Sequence, residues 1–114
     1  MTVTIWHNPR CSKSRETLAL LEGRGITPEV RLYLADPPGR DELCQVLVAL
    51  GLGPHDLVRR GEAAYKAAGL SKDSPDEVVI GAMLAEPKLI ERPIVFADGK
   101  ARIGRPPESV LGIL

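Results

Sequence analysis

Residues 3–23 read VTIWHNPRCSKSRETLALLEG. Val3 and Ile5 with their neighbours form a short apolar run that stops at Asn8-Pro9, the signature of a strand running into a turn. From Ser12 to Glu22 the period changes. Leu18 and Leu21 fall on one helical face, with Ser14 and Thr17 one turn earlier, and Gly23 and Gly25 close the segment. The single cysteine of this stretch, Cys11, stands where strand hands over to helix.

Working outward, Val30, Leu32 and Leu34 alternate with Glu29, Arg31 and Tyr33, which predicts a second strand. Strand, helix, strand in so short a span is a βαβ unit with parallel strands and a right-handed crossover. After the turn Asp36-Pro37-Pro38-Gly39 the middle of the chain is helical. Leu43, Val46, Leu47 and Leu50 make an i, i+3, i+4, i+7 stripe, and Pro54 opens a short helix through Val58. Arg59, Arg60 and Gly61 follow as a loop. Ser74-Pro75-Asp76-Glu77 predicts a helix capped by Ser74, with Val79, Ile80, Met83 and Leu84 on its buried side. Ile94–Ala97, Asp98-Gly99 and Lys100–Ile103 predict a tight hairpin. Pro106-Pro107-Glu108 then opens a terminal helix carrying Val110 and Leu111. With residues 39–87 taken as a helical insertion, the remainder is an α/β thioredoxin-like core in one domain spanning 1–114. Its βαβ and ββα halves share a mixed four-stranded sheet.

The totals narrow the function. The 114 residues suit one core, and 15 Lys+Arg against 15 Asp+Glu leave no net charge. Binding to nucleic acid or to an anionic membrane draws on a basic surplus, so neither is expected. No apolar run approaches the ~20 residues of a membrane span. The start has no basic head and apolar stretch of a secretory leader. Two cysteines, Cys11 and Cys44, are no disulfide framework and suit a reducing cytoplasm. A metal site is not expected from two cysteines and two histidines at scattered spacing.

Cys11 is flanked by Arg10, Ser12 and Lys13, poor company for core filler. At a helix start it meets unpartnered N–H groups and partial positive charge, so its thiolate is stabilised and its pKa falls. Arg10, Lys13 and Arg15 add positive potential. Ser14, one turn on, is placed to donate to the sulfur, and His7 would add charge if protonated, although a purely structural hydrogen-bonding role for His7 suits it equally. Cys44, one step off an apolar stripe, reads as half-buried filler. The position three after Cys11 is Ser14, so a second thiol must come from elsewhere. Arginines stand beside prolines at bends: Arg92-Pro93 enters the hairpin and Arg105-Pro106 leaves it. An X-Pro bond before the third strand of such a core is commonly cis and packs beside the active cysteine, which would bring Arg92 near Cys11. Guanidinium groups around a thiolate make an oxyanion site.

The segments HNPRCSKSR, LVRRGEAAYK, LIERPIV and GRPPESV resemble the glutaredoxin-linked arsenate reductase family, in order and over nearly the whole chain. The resemblance implies a thioredoxin-like fold with a helical insertion, and arsenate as substrate. It makes Cys11 the nucleophile, with His7 and Ser14 as its activating pair. Arg59, Arg92 and Arg105 would bind the oxyanion. Arg60, Asn8 and Arg15 are further candidates. No cofactor is bound; glutathione is the co-substrate and glutaredoxin the protein partner of a cytoplasmic monomer. Two other classes compete. One is a regulator of the Spx type that docks on RNA polymerase, many of which carry the C-x-x-C that Ser14 interrupts. The other is a monothiol oxidoreductase acting on glutathione mixed disulfides.

Overall fold

Val3–Trp6 forms β1, and Ser12–Gly23 forms the first helix, α1, in the computed structural model, which describes residues 2–114. Glu29–Arg31 is β2, Ile94–Ala97 is β3 and Lys100–Ile103 is β4. The four strands lie in the order β2-β1-β3-β4. β1 runs parallel to β2 and antiparallel to β3, and β3 and β4 are antiparallel. This is the mixed α/β sheet of a βαβ half joined to a ββα half.

The residues divide into two compact units. Met1–Asp36 and Arg92–Leu114 make one, and Pro37–Glu91 the other. In the first, alternate residues of β1 and β3 point to one face of the sheet. Val3, Ile5, Val95 and Ala97 pack there with Leu21 of α1 and with Val110 and Ile113 near the C-terminus. Trp6 points to the opposite face and stacks on Tyr33, with Phe96 beside it. Asp98 and Gly99 both have positive φ, at 51° and 76°, as a two-residue type I′ hairpin requires.

Three local expectations shift. β2 is only three residues long, and Val30, Leu32 and Leu34 are nearly half exposed. The chain turns at Leu32, whose carbonyl accepts from the N–H groups of Ala35 and Asp36, and it is Tyr33 that is buried against Trp6. The terminal segment Pro107–Ile113 is a 3-10 helix, and Ile113 joins Val110 in the core while Leu111 is only partly covered. The helix at 76 starts one residue late. Pro75 is its N-cap, because the Ser74 hydroxyl is taken by the Ser71 N–H at 2.9 Å.

In the second unit, Arg40–Leu50 is α2, Pro54–Leu57 is α3, Ala63–Ala67 is α4 and Asp76–Ala85 is α5. Leu43, Val46, Leu47, Leu57, Val79, Ile80 and Met83 are buried. Gly51 ends α2 in the left-handed region. Residues 57–59 run beside 89–91. Val58 bridges Ile90, the Arg59 N–H donates to the Leu89 carbonyl, and the Glu91 N–H donates to the Leu57 carbonyl.

Ile5 is fully buried between α1 and the sheet. Ile5→Ala is expected to cost about 2–5 kcal/mol of unfolding free energy, read from the midpoint of urea denaturation.

Candidate active site

Cys11 is the N-cap residue of α1, with extended backbone angles and no conventional side-chain cap on the helix. A capping oxygen would accept from the N–H of the second or third helical residue. Here the backbone N–H of Ser14, the third, acts on the Cys11 thiol and lowers its pKa. The turn that presents the thiol is tied at each step. The Cys11 N–H donates to the Asn8 carbonyl at 3.0 Å, and the Arg10 N–H to Asn8 Oδ1 at 3.0 Å. Arg15 Nη1 donates to the Pro9 carbonyl at 2.9 Å. Asn8 and Arg15 thus hold the loop, and Asn8 is buried.

His7 and Ser14 are both buried and bound to each other. Nδ1 of His7 lies 2.6 Å from Ser14 Oγ, which also accepts from the Asn8 N–H at 3.0 Å. Burial lowers the His7 pKa, and the nearby Arg15 charge lowers it further, so the ring is neutral at pH 7. Two sequence expectations are corrected here. His7 contributes no charge to the thiol, and the Ser14 hydroxyl is engaged by His7 and the Asn8 N–H, so that it is the Ser14 backbone N–H that lowers the thiol pKa.

The positive charge on Cys11 comes from far along the chain. Arg105 Nη2 lies 3.4 Å from Sγ, and the Arg92 side chain also donates to the sulfur. Burial pushes the Cys11 thiol up, but the Ser14 N–H and the two guanidinium groups outweigh it and bring the pKa below its ordinary value. The local bases are otherwise engaged: Lys13 reaches Glu16 at 3.4 Å, and Arg15 holds Pro9.

The two arginine loops are locked together. The Arg92-Pro93 bond is cis, as expected from sequence, and so is Arg105-Pro106. Gly104 N–H donates to the Pro93 carbonyl at 2.9 Å, and Arg105 Nε to the Arg92 carbonyl at 2.8 Å. Gly104 has no room for a side chain. A Cβ there would sit 2.5 Å from Thr17 Oγ1 and 2.8 Å from Pro93 Cγ. Sequence reading passed over this glycine; its place between a strand and Arg-Pro was the available signal.

Arg59 and Arg60 belong to the other unit. Arg59 is half-buried, and its Nη1 donates to Glu91 Oε1 at 2.6 Å. Arg60 is exposed and donates to the His55 carbonyl at 3.3 Å. Cys44 is half-buried on α2.

The ArsC family model matches residues 6–113. The chain belongs to the ArsC family. It is 54% identical over 114 residues to the uncharacterized protein YfgD of Escherichia coli K12, covering 98% of this chain and 96% of that one. It is 46% identical over 116 residues to an arsenate reductase of Haemophilus influenzae, covering each chain in full. Its fold superposes on the arsenate reductase structure from Vibrio cholerae with a TM-score of 0.96 at 51% identity, covering 100% of this chain and 98% of that one.

Replacing Ser14 by alanine keeps its backbone N–H and removes its hydroxyl. Ser14→Ala is expected to leave the pH midpoint of Cys11 alkylation close to wild type. It should cost about 1–3 kcal/mol in denaturant unfolding, because His7 and the Asn8 N–H lose a buried partner.

Proposed function

We propose that the chain is an arsenate reductase in which the Cys11 thiolate is the nucleophile. The observation that carries this reading is the placement of two guanidinium groups on one sulfur, with Arg105 at 3.4 Å and Arg92 also donating to it. A structural thiol needs no such partners, whereas an attack on an anionic oxyacid needs both a thiolate and donors for the oxygens. The arsenate reductases among its relatives supply the substrate.

In this reading the Cys11 sulfur attacks As(V), and one arsenate oxygen leaves as water once protonated. Arg92 and Arg105 hold the remaining oxygens, and Arg59 joins them on the strength of the family resemblance. The low pKa also makes Cys11 a good leaving group. Glutathione then attacks the adduct, and glutaredoxin completes the reduction. Two thiols are oxidised to one disulfide while arsenic gains two electrons and leaves as arsenite. The neutral His7 packs on the Ser14 hydroxyl, and the Ser14 backbone N–H steadies the sulfur before and after transfer. A groove of about 470 Å³ between α1 and the C-terminal segment, lined by Lys13, Glu16, Pro106 and Glu108 among others, supports approach of a peptide thiol along α1. No described helix is long and apolar enough to cross a membrane, and we place the enzyme in the cytoplasm as a monomer with no bound cofactor.

Purified protein with glutathione, glutaredoxin, glutathione reductase and NADPH should oxidise NADPH only when arsenate is added. Cys11→Ser should abolish turnover and Cys44→Ser should not. Arg105→Ala should lower kcat/KM by about 10²–10³-fold, as for loss of one oxyanion donor. Absence of turnover at millimolar arsenate, with Cys11 reactive to alkylation, would overturn the assignment and favour a redox-responsive regulator.

A further inference from the structure

Arg105 is exposed, so little packing holds its side chain beside the thiol. Its place is set by its own backbone and by the bond from Nε to the Arg92 carbonyl at 2.8 Å. The Gly104 N–H on the Pro93 carbonyl, at 2.9 Å, is a second tie of the same kind. Both bonds join the two arginine loops to each other. Neither fixes their distance from α1, which carries the sulfur at its start.

Gly104 and Thr17 supply that distance. Ser14, Thr17 and Leu21 are the buried residues of α1, one behind another on a single face. The Ser14 N–H acts on the thiol, Leu21 enters the core, and Thr17 between them meets Gly104. Thr17 is fully buried, and its hydroxyl donates to the Lys13 carbonyl at 2.8 Å, which fixes its rotamer. Gly104 is buried as well, and its φ is not positive. Its lack of a side chain therefore answers to space rather than to backbone conformation. A Cβ would stand 2.5 Å from Thr17 Oγ1, 3.1 Å from Thr17 Cγ2 and 2.8 Å from Pro93 Cγ, where ordinary contact begins at 3.4 Å. Because Leu21 anchors α1 in the core, an alanine at 104 would push its own segment outward, by about 0.9 Å to regain ordinary contact. Arg105 Nη2 is 3.4 Å from Sγ, and a displacement of that size away from α1 breaks the contact.

We infer that Gly104 and Thr17 are positioning residues, whose contact seats the Arg105 segment on α1 and sets the reach of the Arg105 guanidinium to the Cys11 sulfur. The inference rests on the reading of Cys11 as the nucleophile and adds the contact that aims one of its guanidinium partners. Neither residue touches the reacting atoms.

The pH midpoint of Cys11 alkylation by iodoacetamide, measured in Cys44→Ser protein, tests this without arsenate. Gly104→Ala, Arg105→Ala, the two together, and Gly104→Ala with Thr17→Ala are compared with the parent, each checked for folding by urea denaturation. Gly104→Ala should move the midpoint up at least half as far as Arg105→Ala does, and should add little in the Arg105→Ala background. Thr17→Ala removes the two Thr17 atoms that crowd a Cβ at 104, and should bring the Gly104→Ala midpoint at least halfway back. With arsenate as substrate, kcat/KM should fall about 10²-fold in Gly104→Ala, as for a misplacement of roughly 1 Å, and recover with Thr17→Ala. Thr17→Ile adds bulk from the helix side of the same contact. It should also raise the midpoint, and it gives the answer if Gly104→Ala does not fold. A folded Gly104→Ala or Thr17→Ile protein with the parent's midpoint would overturn the inference. So would an equal rise with and without Arg105, or a Gly104→Ala midpoint that Thr17→Ala leaves unmoved. Absence of arsenate turnover in the parent would sink the substrate reading alone and leave the midpoints to decide this one.

Discussion

A sulfur stands where a helix would ordinarily place a capping oxygen, and much of the first unit is arranged to lower the pKa of that thiol. The Ser14 N–H is a fixed dipole that needs no reorganisation when the thiolate forms. Beside it lies a buried pair, His7 and the Ser14 hydroxyl, that carries no charge. The guanidinium groups come from either end of the β3–β4 hairpin, whose two-residue turn brings Arg92 and Arg105 back to the same place. The sheet order then matters chemically. β3 pairs with β1, so the residues just before β3 lie beside the end of β1 from which the Cys11 turn leaves.

Strands, helices and the hairpin turn were legible because each has a local cause. Alternation and period mark β1, α1 and α2, and Asp98-Gly99 permits the positive φ that a tight hairpin demands. Element ends were less legible where tertiary partners intervene. Ser74 is a good cap by type, yet its hydroxyl serves Ser71 and its carbonyl serves His55. β2 is cut short where a large aromatic, Tyr33, gains more by stacking on Trp6 than the leucines beside it would by extending the strand. The short helix α4, Ala63–Ala67, has no buried face and so left no periodic trace.

At the site, Cys11 could be singled out from its neighbours alone, and Arg92 and Arg105 from their position at bends. What could not be read was which atom of each residue is used. A serine next to a thiol suggests its hydroxyl, and only the fold shows the hydroxyl engaged by His7, leaving the backbone N–H to lower the thiol pKa. Basic residues adjacent in sequence suggest an anion site, and the folded chain instead turns Lys13 to Glu16 and Arg15 to Pro9. Gly104 matters through the absence of atoms, which sequence patterns signal weakly.

The central physical claim is that the two distant arginines lower the Cys11 pKa. The direct measurement is the thiolate absorbance near 240 nm as a function of pH, in Cys44→Ser protein with and without Arg92→Ala and Arg105→Ala together. The prediction is ionisation below the free-thiol value of about 8.5 in the parent, and a midpoint moved up toward that value when both guanidinium groups are gone. A parent midpoint at or above the free-thiol value, or one that stays low without the arginines, would contradict it.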